Sequence, residues 1–416
     1  MREWAGAFVP STHVRKTRST MSLRLADDTL FSHRFGATPP FRVGVEEELF
    51  LVDPVEHQIS CCTDDLLAQE RRFRRGRVMG EMCDGVVELA TPTCASADEA
   101  TGHLRRLRGD VLATGHAALM GAGVHPTAAF GDVTHRQGAH YEAVAADTRG
   151  LLRQSVVCGV HVHVGMPDPE TVIAAYNGMR KWVPVLQALS ANSPFWHGQD
   201  SGLASCRTAR FHMIPRTGLP RAFRDWVDYT ETMREIVRVS GVDGTGSLWW
   251  DVRPHPSLGT LEIRALDAQS SLPVLRGLVA LVHCLAVHEA TSHDTTHPRK
   301  EVLDEACFHA VRDGLDAELS IGGPVQHVQT LARDAIDVAF DRAGELRCAD
   351  ALREVERLLV TGNGADRQRS AFAAGGMDAV LHHLVRTTSD AATFEPQAPG
   401  GPAVAGARAG VSGSAR

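Results

Sequence analysis

Three short stretches of this 416-residue chain place chemically active side chains two residues apart. Glu46 and Glu48 stand in Gly-Val-Glu-Glu-Glu (44–48), His161 and His163 in Gly-Val-His-Val-His-Val-Gly (159–165), and Glu262 and Arg264 in Thr-Leu-Glu-Ile-Arg (260–264). A fourth stretch, ahead of Thr91-Pro92, begins at Glu81 and carries Glu88 between Val87 and Leu89. Residues two apart in a strand share a face, so each stretch would show its polar pair on one side and its valines and leucines on the other. Crowded carboxylates repel one another unless a cation sits among them. A site rich in carboxylate oxygen suits Mg²⁺ or Mn²⁺ holding nucleotide phosphates better than it suits zinc. Histidines at i and i+2 can both reach one metal or phosphate. A solvated acidic strand end, or a pair of hydrogen-bonded sheet histidines, accounts for any one stretch alone. Four together favour one shared site on the concave face of an antiparallel sheet.

Further candidates surround these stretches. Arg207, Arg210 and Arg216 fall in the loop-rich segment 193–217, where an arginine fork could take a carboxylate or a phosphoryl group. Arg253 and Asp267 flank the Glu262 strand. Glu47 shares parity with the apolar residues of its strand, so alternation does not settle where it points. Several familiar sites are absent. His288-Glu289 is followed by His293, one residue too late for the helical H-E-x-x-H zinc motif, and neither a G-x-x-x-x-G-K-[ST] nor a G-x-G-x-x-G loop occurs. Any ATP would be held through metals and strands instead of a helix N-terminus.

The elements that must position these groups follow from periodicity and caps. Strands are expected from Phe41 to Leu51, closed by Asp53-Pro54, from Glu81 to Pro92, from Val156 to Gly165 and at 260–267. Ser96 with Glu99 forms a capping box opening a helix to about Gly121. Asp168-Pro169 opens another, to about Asn192. A helix is expected over 220–239, a turn at 241–246, and a central buried helix from Leu272 to Glu289. Three or four amphipathic helices fill 300–390. The basic run Arg71–Arg77 reads as a solvated loop or an attractor of an anionic nucleotide. Residues 1–40 form a poorly ordered lead-in with Met21 as an alternative start, 41–394 a single catalytic domain, and 395–416 a disordered tail of Pro, Ala and Gly.

With 43% hydrophobic and 22% charged residues, the chain can bury a large core. A net charge of -7 gives no electrostatic support for nucleic-acid binding. No apolar run is expected to span a membrane, and nine cysteines without C-x-x-C spacing fit reduced thiols in the cytoplasm. All but three of the 43 basic residues are arginine.

Together Gly-Val-Glu-Glu-Glu, the Glu81/Glu88 pair before Thr-Pro, Gly-Val-His-Val-His-Val-Gly and W-W-D-V-R-P-H-P-S-L-G-T-L-E-I-R-A-L-D (249–267) closely resemble the glutamate-cysteine ligase type 2 family, in its YbdK-like branch of carboxylate-amine ligases. The resemblance spans about residues 41–390. It implies an α+β fold of glutamine-synthetase type, with an antiparallel sheet forming a funnel-shaped active site and helices packed outside. It implies phosphoryl transfer from ATP to a substrate carboxylate, glutamate or another, and attack on the acyl phosphate by an amine, of cysteine or another compound. Carried over residue by residue, Glu46, Glu48, Glu81, Glu88, His161 and Glu262 would hold Mg²⁺ around the phosphates. Arg264, Glu262 and Arg253 would be catalytic, with Arg264 on the transferring group, and His163, Arg207 and Asp267 would support ATP. A homodimer is a further expectation. The competing readings are a guanidino-kinase-like phosphotransferase and a nucleotide- or amino-acid-binding protein without turnover.

Overall fold

The computed structural model describes residues 31–68, 77–129, 131–154, 156–242, 244–292 and 296–393. All of the basic run except Arg77, the first 30 residues and the expected tail lie outside these.

Alternating sequence builds a seven-stranded antiparallel sheet. In chain order its strands are β1 (Val43–Val52), β2 (Val78–Gly80), β3 (Val86–Ala90), β4 (Ala118–Met120), β5 (Gly159–Gly165), β6 (Val252–His255) and β7 (Thr260–Asp267). Across the sheet they run β6-β7-β5-β1-β3-β2, with β4 beside the end of β1. Register is what assembles the polar face. Glu46 lies opposite His161, Glu48 opposite Glu88, His163 opposite Glu262, and Glu262 opposite Arg253. Directly opposed residues in an antiparallel pair point to the same side, so these groups share one face.

The other face is apolar, presenting Val43, Val45, Leu49, Val160, Val162, Leu261 and Ile263. It is covered by α1 (Ala97–Leu112), α4 (Pro169–Met179), α5 (Val183–Ser190) and α8 (Leu272–Thr291). Between these run α2 (Ala139–Thr148), α3 (Gly150–Gln154), α6 (Cys206–Phe211) and α7 (Trp226–Ser240). The helices α9 (Lys300–Asp313), α10 (Val328–Ala343), α11 (Ala349–Thr361) and α12 (Gly364–Thr393) follow in the described residues. By length and composition α8 could cross a membrane, but 83% of that apolar window is buried inside the protein. Its all-round hydrophobicity serves a helix packed on every side.

Several expected boundaries move. The strand expected from Glu81 splits into a turn and β3, because Gly85 takes a left-handed φ of 94° and turns the chain. Glu81 therefore sits on the turn between β2 and β3. The helix opened by Ser96 stops at Leu112, where Gly115 (φ 72°) starts the turn into β4. The helix expected to reach Asn192 is interrupted by a 3₁₀ turn at Arg180–Trp182, just ahead of Pro184, which has no N–H to donate. Arg207 and Arg210 lie on a helix, α6, capped by the Ser205 side chain, in what reads as loop sequence. Residues 31–40, expected to stand outside the domain, pack on it. Phe31 and Phe35 are buried, and Arg34 N–H donates to the Pro256 carbonyl at 2.9 Å.

Glu47 enters the apolar layer with its neighbours, fully buried, and meets a fully buried Arg108 from α1. Arg108 Nε donates to Glu47 Oε2 at 3.0 Å, and Nη2 to Oε1. The guanidinium also reaches the Ser270 carbonyl (3.0 Å) and the Gln269 carbonyl (2.7 Å), so it ties β1 and α1 to the entrance of α8. A buried pair of this kind is costly to leave half made. Glu47→Gln should therefore destabilise the protein by about 3–5 kcal/mol in denaturant unfolding. Glu46→Gln, one residue away and partly open to solvent, should lower the midpoint less, because water screens its contacts with His161 and His163. Equal midpoints for the two variants would show that the buried pair does not hold these layers.

Candidate active site

On the open face, each side chain is set by its strand. His161 Nδ1 lies 3.2 Å from Glu46 Oε2, and His161 Nε2 lies 3.7 Å from Glu48 Oε1. His163 Nε2 is 3.5 Å from Glu46 Oε1, while its Nδ1 is 3.0 Å from the Thr260 hydroxyl. Glu48 accepts the Gly159 N–H at 2.6 Å. Glu262 is clamped between two arginines, accepting from Arg253 Nε at 2.6 Å and from Arg264 Nη1 at 2.5 Å. Glu46, His161 and Glu262 each bring a ligand atom within 4.8 Å of the other two, and so do Glu48, Glu88 and His161. The Nε2 atoms of His161 and His163 are buried and make no hydrogen bond among the described residues. Orphaned imidazole nitrogens amid carboxylates are what a cation-binding centre requires, and the oxygen-dominated donor set fits a hard divalent ion.

The charges divide the carboxylates into two classes. Burial opposes ionisation of Glu46, but its contacts with His161 and His163 hold it well below its ordinary value. Burial likewise opposes ionisation of Glu262, where Arg253 and Arg264 win and keep it charged. Glu88 is pushed up to about 10 by burial and then by the charges of Glu46 and Glu81. Burial also raises Glu48, and raises Glu81 together with the charge of Glu48. His161 is held down to about 4 by burial and then by Arg264, leaving a neutral imidazole able to ligate. His163 goes the other way, since Glu262 and Glu46 overcome its burial.

Beside this row lies a pocket of about 690 Å³, counting its open mouth, with Glu48, Glu81, His161, Arg207 and Arg264 on its polar side. Its apolar side is made by residues that sequence reasoning did not select, including Val144, Leu152, Phe211, Ile214 and Trp249. Apolar residues in helices and loops carry no spacing signal for a pocket. Trp250, by contrast, is core. His255, for which the sequence suggests no role, lies edge-on to His163 with ring centroids 5.7 Å apart.

Of the three loop arginines only Arg207 reaches the pocket. Arg210 lies over the Trp196 ring, and Arg216 pairs with Asp147 and lies over Trp249. Arg207 crosses β5 because residue 159 is glycine. A Cβ there would stand 2.3 Å from Arg207 Nη2, which donates to the Arg264 carbonyl at 3.0 Å.

Two expected site residues have internal duties. Arg253 spends its guanidinium on Glu262 and on the Leu248 carbonyl, so it orients Glu262 and does not face the pocket. Asp267 reaches the polar face because β7 is bulged between Ile263 and Leu266 relative to β5. There it accepts from Ser193 Oγ (2.6 Å), Ser205 Oγ (2.8 Å) and Asn192 N–H (2.9 Å), all within the protein. Ser205 caps α6 and Ser193 Oγ accepts the Arg207 N–H, so Asp267 positions Arg207 instead of meeting ATP.

Two outcomes follow. Glu88 must lose its proton to ligate an ion, so Mg²⁺ affinity should rise by up to about tenfold per pH unit from neutrality towards pH 10. In the ion-free protein the sign is opposite, because a raised carboxyl favours the fold at low pH and that contribution is lost as the pH climbs through about 10. Calorimetry in two buffers of different ionisation enthalpy should show proton release at pH 7 that is smaller in Glu88→Gln, any remainder coming from Glu48 and Glu81. Equal release by both proteins would remove Glu88 from the centre. Gly159→Ala should displace Arg207 and lower turnover roughly tenfold or more with the fold intact. Wild-type turnover in that variant would mean Arg207 is not needed where it lies.

Comparison with known proteins agrees with this architecture. The sequence profile of glutamate-cysteine ligase family 2 matches residues 42–383. A protein of Rubrobacter xylanophilus is 35% identical over 364 residues, spanning 86% of this chain and 99% of its own length. The glutamate--cysteine ligase of Halobacterium salinarum is also 35% identical, over 356 residues, spanning 82% of this chain and 96% of its own. Among solved structures, the glutamate--cysteine ligase of Francisella tularensis in complex with AMP superposes with a TM-score of 0.65 at 14% identity, covering 86% of this chain and 90% of that one. At that identity the likeness speaks for the fold. On profile, relatives and architecture together, this chain belongs to glutamate-cysteine ligase family 2, whose members are ATP-dependent carboxylate-amine ligases.

Proposed function

We propose that this ligase joins the γ-carboxylate of glutamate to the amine of cysteine, with ATP converted to ADP and phosphate through an acyl phosphate. One observation carries the reading. Two buried guanidinium N–H groups, Arg207 Nε and Arg264 Nε, have no acceptor among the described residues, and both side chains line the pocket beside the carboxylate row. A pocket that already holds so many carboxylates and still keeps two arginine donors free is prepared for a further anion. Arg264, fixed on its second side by Glu262, would meet the phosphoryl group passing to the substrate carboxylate. Arg207 would hold the oxygens of the anion beside it. Donors placed where charge develops lower the barrier without having to reorganise.

Glu46, Glu48, Glu88, His161 and Glu262 would hold Mg²⁺, which when bound supplies charge neutralisation of the phosphates. The apolar wall of Phe211, Ile214 and Trp249 offers a surface for a nucleobase, in keeping with the AMP bound by the Francisella tularensis protein. Where ATP and free thiols coexist, the cytoplasm, is the natural place for such an enzyme, and all nine cysteines here are unpaired.

The test is Mg²⁺-dependent ADP release in the presence of glutamate and a panel of amines. Release should require both the carboxylate and the amine, and γ-glutamylcysteine should accumulate with cysteine. Arg264→Gln should lower kcat by roughly 10²–10³-fold. Phosphate released at the same rate without any amine would end the ligase reading, and a preferred amine other than cysteine would end the assignment of substrate.

A further inference from the structure

The thiols of Cys284 and Cys348 meet on the helical side of the protein, behind the sheet and away from the carboxylate row. Cys284 is in the middle of α8, and Cys348 is the N-cap residue of α11. Their sulfurs are 3.2 Å apart, both unbridged, in the seam where these two helices pack. The other cysteines of this layer, Cys94 and Cys307, are not in such contact. We propose that Cys284 and Cys348 form a modification site, a dithiol that a peroxide-class oxidant closes into a disulfide joining α8 to α11.

The geometry gives the two sulfurs different parts. Both are buried, yet Cys348 lies in the short link between α10 and α11, with exposed Arg347 before it and exposed Ala349 and Asp350 after it. Arg347 has a left-handed φ of 51°, an unfavourable conformation for a residue with a side chain. A small opening of this link exposes Cys348, whereas exposing Cys284 requires α8 to leave the core. Helix N-termini favour thiolate, and the hydrogen bond shared with Cys284 lowers Cys348 while raising Cys284.

Cys348 is thus the attacking sulfur. Its thiolate displaces hydroxide from the peroxide O–O bond and becomes a sulfenic acid. Cys284, losing its proton, then attacks the sulfenyl sulfur, and the oxygen leaves as a second water once the proton is counted. Two thiols and one peroxide give one disulfide and two waters. Neither sulfur lies near the pocket, so the bond would brace the outer helices without altering the chemistry on the other side of the sheet.

The full-length protein should be treated with hydrogen peroxide, unfolded in the presence of an alkylating agent and mapped by mass spectrometry. The expected result is a peptide pair linking Cys284 to Cys348, lighter by two hydrogens and released by a reducing agent, together with a higher unfolding temperature of the oxidised protein. Cys284→Ser and Cys348→Ala should each abolish both the link and the temperature rise while keeping the activity of the reduced protein. Exposed Cys61 serves as the internal control. If Cys61 is oxidised while Cys284 and Cys348 are both recovered as alkylated thiols, or if Cys348 is found linked elsewhere, the proposal is wrong.

Discussion

Like-charge crowding is the constraint on which the rest of this molecule turns. Register alone brings Glu46, Glu48, Glu88 and Glu262 onto one sheet face, and a turn adds Glu81. In a medium of low polarity such a group cannot stay ionised without countercharge. The protein solves this unevenly. Glu262 has two arginines and Glu46 has two histidines, whereas Glu88 is left to take up a proton. The site is therefore charged at one end and protonated at the other before any ligand arrives. A cation entering it would exchange with protons and release arginine N–H groups from a purely internal duty.

Holding repelling groups together needs a rigid backing, which the opposite face supplies. The apolar residues of β1, β5 and β7 are sealed by α1, α4, α5 and α8. Within that layer, the buried Glu47–Arg108 pair is less an adhesive than a locator, since its remaining hydrogen bonds reach the two carbonyls that lead into α8. A second chain of supports runs through Asp267, Ser193 and Ser205 to α6 and the Arg207 side chain. The first device acts on the pocket from behind the sheet, the second from the polar face itself.

What could be read from the sequence, and what could not, follows from the range of each signal. Period-two alternation is local and strong, so the faces of Glu46, Glu48, His161, His163, Glu262 and Arg264 were legible. Glu81 reads as strand because Met82 and Cys83 lead towards Val86 and Val87, whereas the turn between them is chosen by the geometry of Gly85. Arg207 reads as loop in the sequence because a helix of six residues is too short to show periodicity. Glu47 was ambiguous for a different reason. Its partner lies 61 positions away, and nothing near it announces a buried arginine. Asp267 kept its place on the polar face but not its role, since donors from three separate residues occupy it.

The bulge in β7 shows how these levels meet. Arg264 and Ala265 together stand where a regular strand would place one residue opposite His161. The extra residue shifts the phase of everything beyond it, so Leu266 turns to the core and Asp267 to the polar side. The bulge therefore matters to this stretch beside its composition. Without it, a regular ladder of the same residues would set Ala265 opposite Val160 and Leu266 opposite Gly159, exchanging the inside and outside of the strand's last two positions. Losing one residue of the bulge would keep Leu266 and Asp267 on their present faces, so what the enzyme needs of this strand is that its count and its irregularity agree.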